Sequence, residues 1–290
     1  MQVGVAFPIT EIGSDPAIIR DFAQAADELG YSHLTCIDHV VGAARAEAEW
    51  RAYYTRENMF HEVLVLFGFL AAVTRKIQLN TAILILPQRQ TALVAKQAAE
   101  IDVLSGGRLV LGVGLGWNEI EFEALNENFR NRARRMEEQI ELLRLMWTQE
   151  LLTYKGRFHT ITDVGLNPLP RQRPIPIWIG AFEKPAIERA ARLADGWYVN
   201  PRLAPGNEAA ILIAAFRDAA AMAGRDISKL AIDATIHVGS KTPEQLRAEA
   251  SQWRALGATR VTVRTIYAGL PSPQAHIEAI RRILPAVGAP

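Results

Sequence analysis

Cysteine is almost missing from this chain, with one residue, Cys36, in 290. No internal disulfide can form, and the usage suits a reducing compartment. An excess of one charge sign is missing too, with 32 Lys and Arg against 31 Asp and Glu. A general nucleic-acid binder or membrane-surface binder would show a basic surplus, so neither partner is expected. No uninterrupted apolar stretch reaches the roughly 18 residues of a membrane helix. The run "HEVLVLFGFLAAV" at 61–73 is too short and is interrupted by Glu62. The first residues run straight into a β-rich segment, without the basic and apolar regions of a signal peptide. A cytoplasmic protein is the expectation.

The common catalytic signatures are absent as well. Histidines stand at 33, 39, 61, 159, 237 and 276, with no H-x-H on the first strand and no H-E-x-x-H. Metal catalysis is therefore not expected. There is no G-x-S-x-G elbow, and Cys36 lies within a strand where it reads as core rather than nucleophile. Lys241 lies close beyond a strand end, but its Thr-Pro context reads as the start of a helix, not as a Schiff-base site. Such thin side-chain chemistry suggests that a cofactor carries the reaction.

What is present is a strand followed by a helix, again and again. Residues 1–7 alternate and are β-rich. Asp15-Pro16 supplies an N-cap with proline at the first helical position. Ile18, Phe22, Ala25 and Leu29 recur at helical spacing until Gly30 stops the helix. Strands at 33–37, 77–84 and 109–113 are paired with helices at 60–74, 91–104 and 132–148. Strands at 176–179 and 196–199 are followed by a helix beginning near Pro185 and one at 207–223. The strand at 230–238 leads to the capping box Thr242-Pro243-Glu244-Gln245, and that at 260–266 to a helix opened by Ser272-Pro273. Eight strand–helix units point to one (β/α)8 TIM barrel with insertions, spanning 1–290 as a single domain. An open doubly wound sheet is the alternative. Three long connections interrupt the pattern, at 38–59, 117–131 and 149–175, and long loops in compact domains usually serve function. The first two follow strands and so belong to the C-terminal face, where barrel active sites lie. The third follows a helix, which places it by default at the opposite face, for packing or dimer contacts, unless it folds back over the top.

Several residues could carry chemistry. Asp38-His39 comes immediately after the second strand, where an imidazole can exchange protons and a carboxylate can orient it. The stretch "LSGGRLVLGVGLGW", residues 104–117, holds five glycines. It is not the Rossmann fingerprint, because Trp117 stands where the third glycine belongs and the glycines lie inside the strand. Interior strand glycines mark a close approach to the backbone. At 80–84, small then aliphatic residues end the third strand, suiting a flat ring or simply a core strand tip. Trp-Ile-Gly-Ala at 178–181 precedes a helix whose N-terminus would suit a phosphate, although an ordinary turn reads equally well. Glu62 reads as a helix N-terminal charge more readily than as a buried acid. Arg132, Arg134 and Arg135 with Glu137 and Glu138 read as a solvated helix face.

Taken together, the chain resembles the bacterial-luciferase-like flavin and deazaflavin oxidoreductase superfamily, above all its subgroup dependent on coenzyme F420. The resemblance is carried by "FAQAADELGYSHLTCIDHVV", the block from "EVLVLFGFLAAVTRK" to "LSGGRLVLGVGLGWNEIEFEALN", "RRMEEQIELLRLMW", "GLNPLPRQRPIPIWIGA" and "AARLADGW". It weakens after about residue 200. It implies a barrel, commonly homodimeric, with an isoalloxazine-type ring across the mouth. The ring would touch Asp38, His39, Ala82, Ile83 and the stretch from Gly114 through Gly116 to Trp117. A non-prolyl cis peptide is implied at the third-strand tip, with Ala82–Ile83 as the candidate. The cofactor phosphate would sit at Gly180-Ala181-Phe182. Relatives often read Gly-Gly-Ser there, whereas this chain has Phe182 and Glu183, a carboxylate near a phosphate. Arg45, Arg51 and Arg89 are the basic groups that could compensate.

The activity implied is hydride transfer between F420 and a small organic substrate, with His39 exchanging the proton and Asp38 orienting it. The alternative is an FMN-dependent monooxygenase supplied with reduced flavin by a partner reductase. A non-catalytic flavin-binding relative is the third reading. Trp50, Tyr53, Tyr54 and Phe60 suggest an apolar or aromatic substrate.

Overall fold

The computed structural model describes residues 1–44 and 54–288. In chain order they form β1 (Gln2–Ala6), α1 (Pro16–Leu29), β2 (His33–Cys36), α2 (Val63–Val73), β3 (Gln78–Thr81), β4 (Leu84–Ile85) and α3 (Thr91–Ser105). Next come β5 (Leu109–Gly114), α4 (Glu119–Ala124), α5 (Arg132–Thr148), β6 (Leu152–Lys155) and β7 (Thr160–Val164). The remainder is β8 (Ile177–Gly180), α6 (Lys184–Leu193), β9 (Gly196–Tyr198), α7 (Asn207–Met222), β10 (Ala231–His237), α8 (Pro243–Leu256), β11 (Arg260–Arg264) and α9 (Pro273–Val287). The boundaries follow local chemistry. Asp15 caps α1 through the Ala17 amide, and Gly30, at φ 89°, closes it in the left-handed conformation that a residue without Cβ adopts freely. The capping box at Thr242 and Gln245 opens α8.

The strands run parallel in the order β3-β2-β1-β11-β10-β9-β8-β5, and β3 pairs with β5 to close the ring. This is a (β/α)8 barrel, and closure removes the doubly wound alternative. One strand departs from the simple pattern. The third barrel strand is built from two pieces, β3 and β4, joined across the cis peptide Ala82–Ile83, and β4 rejoins the sheet against Val113 and Gly114 of β5.

Alternate residues of each strand point into the barrel. The lower half is filled. His33 Nε2 lies 3.1 Å from Asp233 Oδ2 and 2.9 Å from Thr262 Oγ1. The Trp178 and Tyr198 rings lie 5.0 Å apart, and the Arg260 guanidinium sits 4.7 Å over Trp178 while donating to Gln78 Oε1 at 2.8 Å. Two to four residues further up the same inward faces, Thr235, His237 and Arg264 are only half-buried. The upper end is therefore open rather than plugged.

The connection at 149–175 does not stay at the lower face. Its hairpin, β6 and β7, turns back along α5, where the Glu138 carboxylate accepts the Arg157, Phe158 and His159 amides at 2.7, 2.9 and 2.9 Å and His159 Nδ1 at 2.8 Å. Thr91, the first residue of α3, then donates to His159 Nε2 at 2.7 Å, tying the hairpin to the level of the strand ends. The charge run on α5 is thus not a plain solvated face. Arg135 pairs with Glu127 and Glu137 with Arg189, each at 2.5 Å.

Two histidines set a pH dependence of stability. Burial pushes the imidazoles of His237 and His276 below their ordinary value of 6.5. The unfolded chain therefore takes up these protons first, so stability held at neutral pH declines as pH falls below about 6.5. Thermal melts should give a lower midpoint near pH 5.5 than near pH 7.5, with the drop reduced in His276→Gln. A flat profile across that window would contradict these assignments.

Candidate active site

The sequence places Asp38-His39 just past β2, and the structure keeps both there, but gives them different tasks. Asp38 is almost wholly buried, at 2% exposure. Its Oδ2 accepts the Ile85 amide at 3.0 Å and its Oδ1 accepts from Arg89 Nη2 at 2.8 Å. Arg89 Nη1 continues to Glu62 Oε1 at 2.7 Å. Glu62 in turn caps α2 by accepting the Val65 amide at 2.7 Å, the helix-charge role expected of it. Burial raises the Asp38 carboxyl, opposed by the Arg89 guanidinium and the Ile85 amide. Asp38 therefore holds the segment after the cis peptide in place and does not orient His39, as the sequence had suggested. Arg89 is committed to this network, which removes it as a compensating group for a phosphate. Arg45 and Arg51 lie outside the described residues, as do Trp50 and Tyr53.

The group that orients His39 is one that sequence reasoning missed, Glu121 of α4. His39 Nδ1 lies 2.9 Å from Glu121 Oε2. Glu121 Oε1 accepts the Val40 and Val41 amides at 2.7 and 3.3 Å, and the residue is fully buried. A carboxylate partner fixes Nδ1 as the donating nitrogen, leaving Nε2 without a partner among the described residues. The alternation of Glu119, Glu121 and Glu123 offered no sign of which one turns inward. The buried neighbour Phe122 was the available hint. Replacing Glu121 by Gln should lower turnover roughly a hundredfold and displace the pH–rate profile, while the melting temperature moves little. An unchanged profile would remove Glu121 from this role.

Around His39 stand Tyr54, Phe60 and Trp117, with ring centroids at 5.1, 4.8 and 5.6 Å. Together with residues 40–42, Arg56, Asn58 and Asn118, the first two line a cavity of about 360 Å³, a size that suits a small ligand.

The glycines of β5 and β8 meet the chain itself. At Gly112 a Cβ would collide with the Thr81 carbonyl and the Tyr198 ring. At Gly114 and Gly180 it would fall 2.6 and 2.8 Å from the Ile83 side chain. Gly116, at φ 71°, backs onto Ile85. The close approach expected from the interior glycines is thus made by the third strand, whose half-buried Ile83 packs between β5 and β8 at the mouth. Ala181 is buried, while Phe182 is exposed at 52%. Glu183 precedes α6 without a side-chain capping bond.

Fold and site thus define a TIM-barrel protein whose polar centre lies at the C-terminal ends of the strands, the face where barrel enzymes work. The sequence profile of luciferase-like monooxygenases matches residues 1–283, and the chain belongs to that family of oxidoreductases. It is 38% identical over 200 residues to an uncharacterised protein of Mycobacterium tuberculosis, covering 66% of this chain and 68% of that one. It is 34% identical over 196 residues to the FMNH(2)-dependent dimethylsulfone monooxygenase of Pseudomonas putida, covering 66% of this chain and 51% of that one. Among solved structures, a monooxygenase from Streptomyces bottropensis superposes over all of both chains with a TM-score of 0.80 at 20% identity. An F420-dependent secondary alcohol dehydrogenase, in complex with an F420-acetone adduct, gives 0.78 at 17% identity, over 99% of this chain and 98% of that one.

Proposed function

We propose that the protein is an F420-dependent oxidoreductase that transfers a hydride between the deazaflavin and a small organic substrate. The observation that carries this reading is the His39–Glu121 pair. An alcohol that gives up a hydride must also give up a proton, and here an imidazole faces the cavity with Nδ1 already tied to a buried carboxylate. His39 Nε2 then exchanges the proton with the substrate oxygen, and Glu121 stabilises the imidazolium that forms. Tyr54, Phe60 and Trp117 pack around the ring and restrict water.

The upper barrel fits a flat heterocycle. Its inward positions carry small or short side chains at Thr35, Thr235, Gly114 and Gly180, and the mouth is open. Ala82, Ile83, Gly116 and Trp117 would hold the ring, with Ile83 as the platform and Gly114 making room for it. Gly180, Ala181 and Phe182 would hold the phosphate at the N-terminus of α6. Bound F420 supplies hydride transfer, whereas bound FMN would supply oxygen activation.

The FMN-dependent monooxygenase is the second reading, favoured by the 34% identity to the Pseudomonas putida enzyme. It would bring in a flavin reductase as partner. Parallel fluorescence titrations of the purified protein with F420 and with FMN decide between the two. Tighter binding of F420 is the expected result, and tighter binding of FMN would transfer the assignment to the monooxygenase.

A further inference from the structure

Arg264, at the end of a barrel strand, is a cation that the proton-transfer site does not use. It closes β11, on the same inward face as Thr262 and Arg260, and is half-buried. Its Nη2 donates to the Tyr54 hydroxyl at 3.3 Å, and its guanidinium lies 6.0 Å from the Tyr267 ring centroid. Its Nε is buried and has no hydrogen-bond partner, and no carboxylate pairs with it among the described residues. A partly desolvated guanidinium without an anion is an unusual thing to keep in a fold.

The neighbouring groups do not neutralise it. His237, its register partner on β10, donates Nε2–H to the Pro201 carbonyl at 2.8 Å. Burial lowers the pKa of that imidazole, opposed by the Pro201 hydrogen bond and assisted by the charges of Arg264 and Lys241. Lys241, further along, is matched by Glu249. Arg56, a cation that lines the cavity, is matched by Glu57, whereas Arg264 is a positive charge with no carboxylate partner among the described residues, held against Tyr54 of the cavity wall. The same Tyr54 that accepts its hydrogen bond also packs its ring against His39, so one aromatic side chain separates the cation from the proton-exchanging imidazole.

We propose that Arg264 anchors an anionic group of the substrate, and that the substrate class is a small organic acid. Its carboxylate pairs with the free guanidinium edge, while its reacting carbon lies on the His39 side of Tyr54. Arginine suits this task because its planar fork can take a carboxylate with two donors. The inference rests on the redox reading for the reacting end, but the anion site stands on Arg264 alone.

The test uses benzoate as probe and benzamide as its neutral counterpart, titrated calorimetrically into the wild-type protein, Arg264→Gln and Arg264→Lys. Benzoate should bind the wild type and prefer it over benzamide. The Gln variant should lose at least about tenfold in benzoate affinity with benzamide unchanged, and the Lys variant should fall between. F420 and FMN affinities should stay within a few-fold in all three proteins. Equal benzoate binding by wild type and variant, or none by the wild type, overturns the proposal. So does a loss confined to F420 or FMN, which would make Arg264 a cofactor anchor. If the Gln variant does not fold, the benzoate–benzamide preference of the wild type and its loss in high salt decide the matter. Benzoate binding through Arg264 in a protein that takes up neither cofactor would retain this site and discard the redox reading.

Discussion

Replacing His39 by Ala should reduce turnover by about 10²- to 10⁴-fold while leaving cofactor affinity within a few-fold. The asymmetry follows from the geometry. The imidazole is tied at Nδ1 to Glu121, lines the cavity and has no partner for Nε2 among the described residues, so what the substitution removes is proton exchange at the substrate oxygen. The side chain is also small beside the surface a tricyclic cofactor would bury, and binding should feel its loss little. Because His39 packs against Tyr54 and Phe60, the variant should also be checked as His39→Gln, which keeps more of that packing and still cannot act as a base. Steady-state kinetics and a cofactor titration on the two variants separate the outcomes. Turnover preserved in both would remove His39 from the chemistry. Cofactor binding lost in both would make it a binding residue.

The largest effect on stability should come from Gly112→Ala. A Cβ at this position would overlap the Thr81 carbonyl and the Tyr198 ring at once. Neither can retreat easily. The Thr81 carbonyl belongs to the third strand, and the Thr81 hydroxyl donates to the Gly112 carbonyl at 2.7 Å, locking the two strands at this point. Tyr198 is packed against Trp178 in the filled half of the barrel. Overpacking of this kind costs about 3 kcal/mol, a large share of the 5–15 kcal/mol that typically separates folded from unfolded chains. A fall in the melting midpoint of about 10 °C, or loss of soluble protein, is expected. By contrast Gly224→Ala, at a turn where a Cβ meets nothing but φ is positive, should cost only the smaller backbone strain of about 1 kcal/mol. Equal melting temperatures for the two variants would show that the strand contact is less rigid than the structure implies.

The alternation of strands and helices was legible because each unit carries its own punctuation: Asp15-Pro16 and Gly30 around α1, the capping box before α8, Ser272 before α9. The cis bond at Ala82–Ile83 was reached through family resemblance, and the packing of Gly112, Gly114 and Gly180 against the third strand was not. Gly114 and Gly180 were implied only as cofactor contacts, and that they and Gly112 also make room for the third strand is a contact between residues about thirty or more positions apart that no local pattern encodes. The exchange of roles between Asp38 and Glu121 has the same origin. Adjacency in sequence made Asp38 the natural partner of His39, but successive residues leaving a strand point to opposite sides. The partner came instead from a helix about eighty residues away. The hairpin of β6 and β7 was read only as a long loop, because its strands are short, polar and largely exposed, leaving little periodicity to detect.

The most direct measurement is a crystal structure of the protein with whichever of F420 and FMN binds it more tightly. The expected density is a planar ring over the barrel mouth, resting on Ile83 and with its reactive edge toward His39 Nε2. A ring bound elsewhere, or His39 swung away from it and from Glu121, would contradict the assignment of this mouth as the redox site.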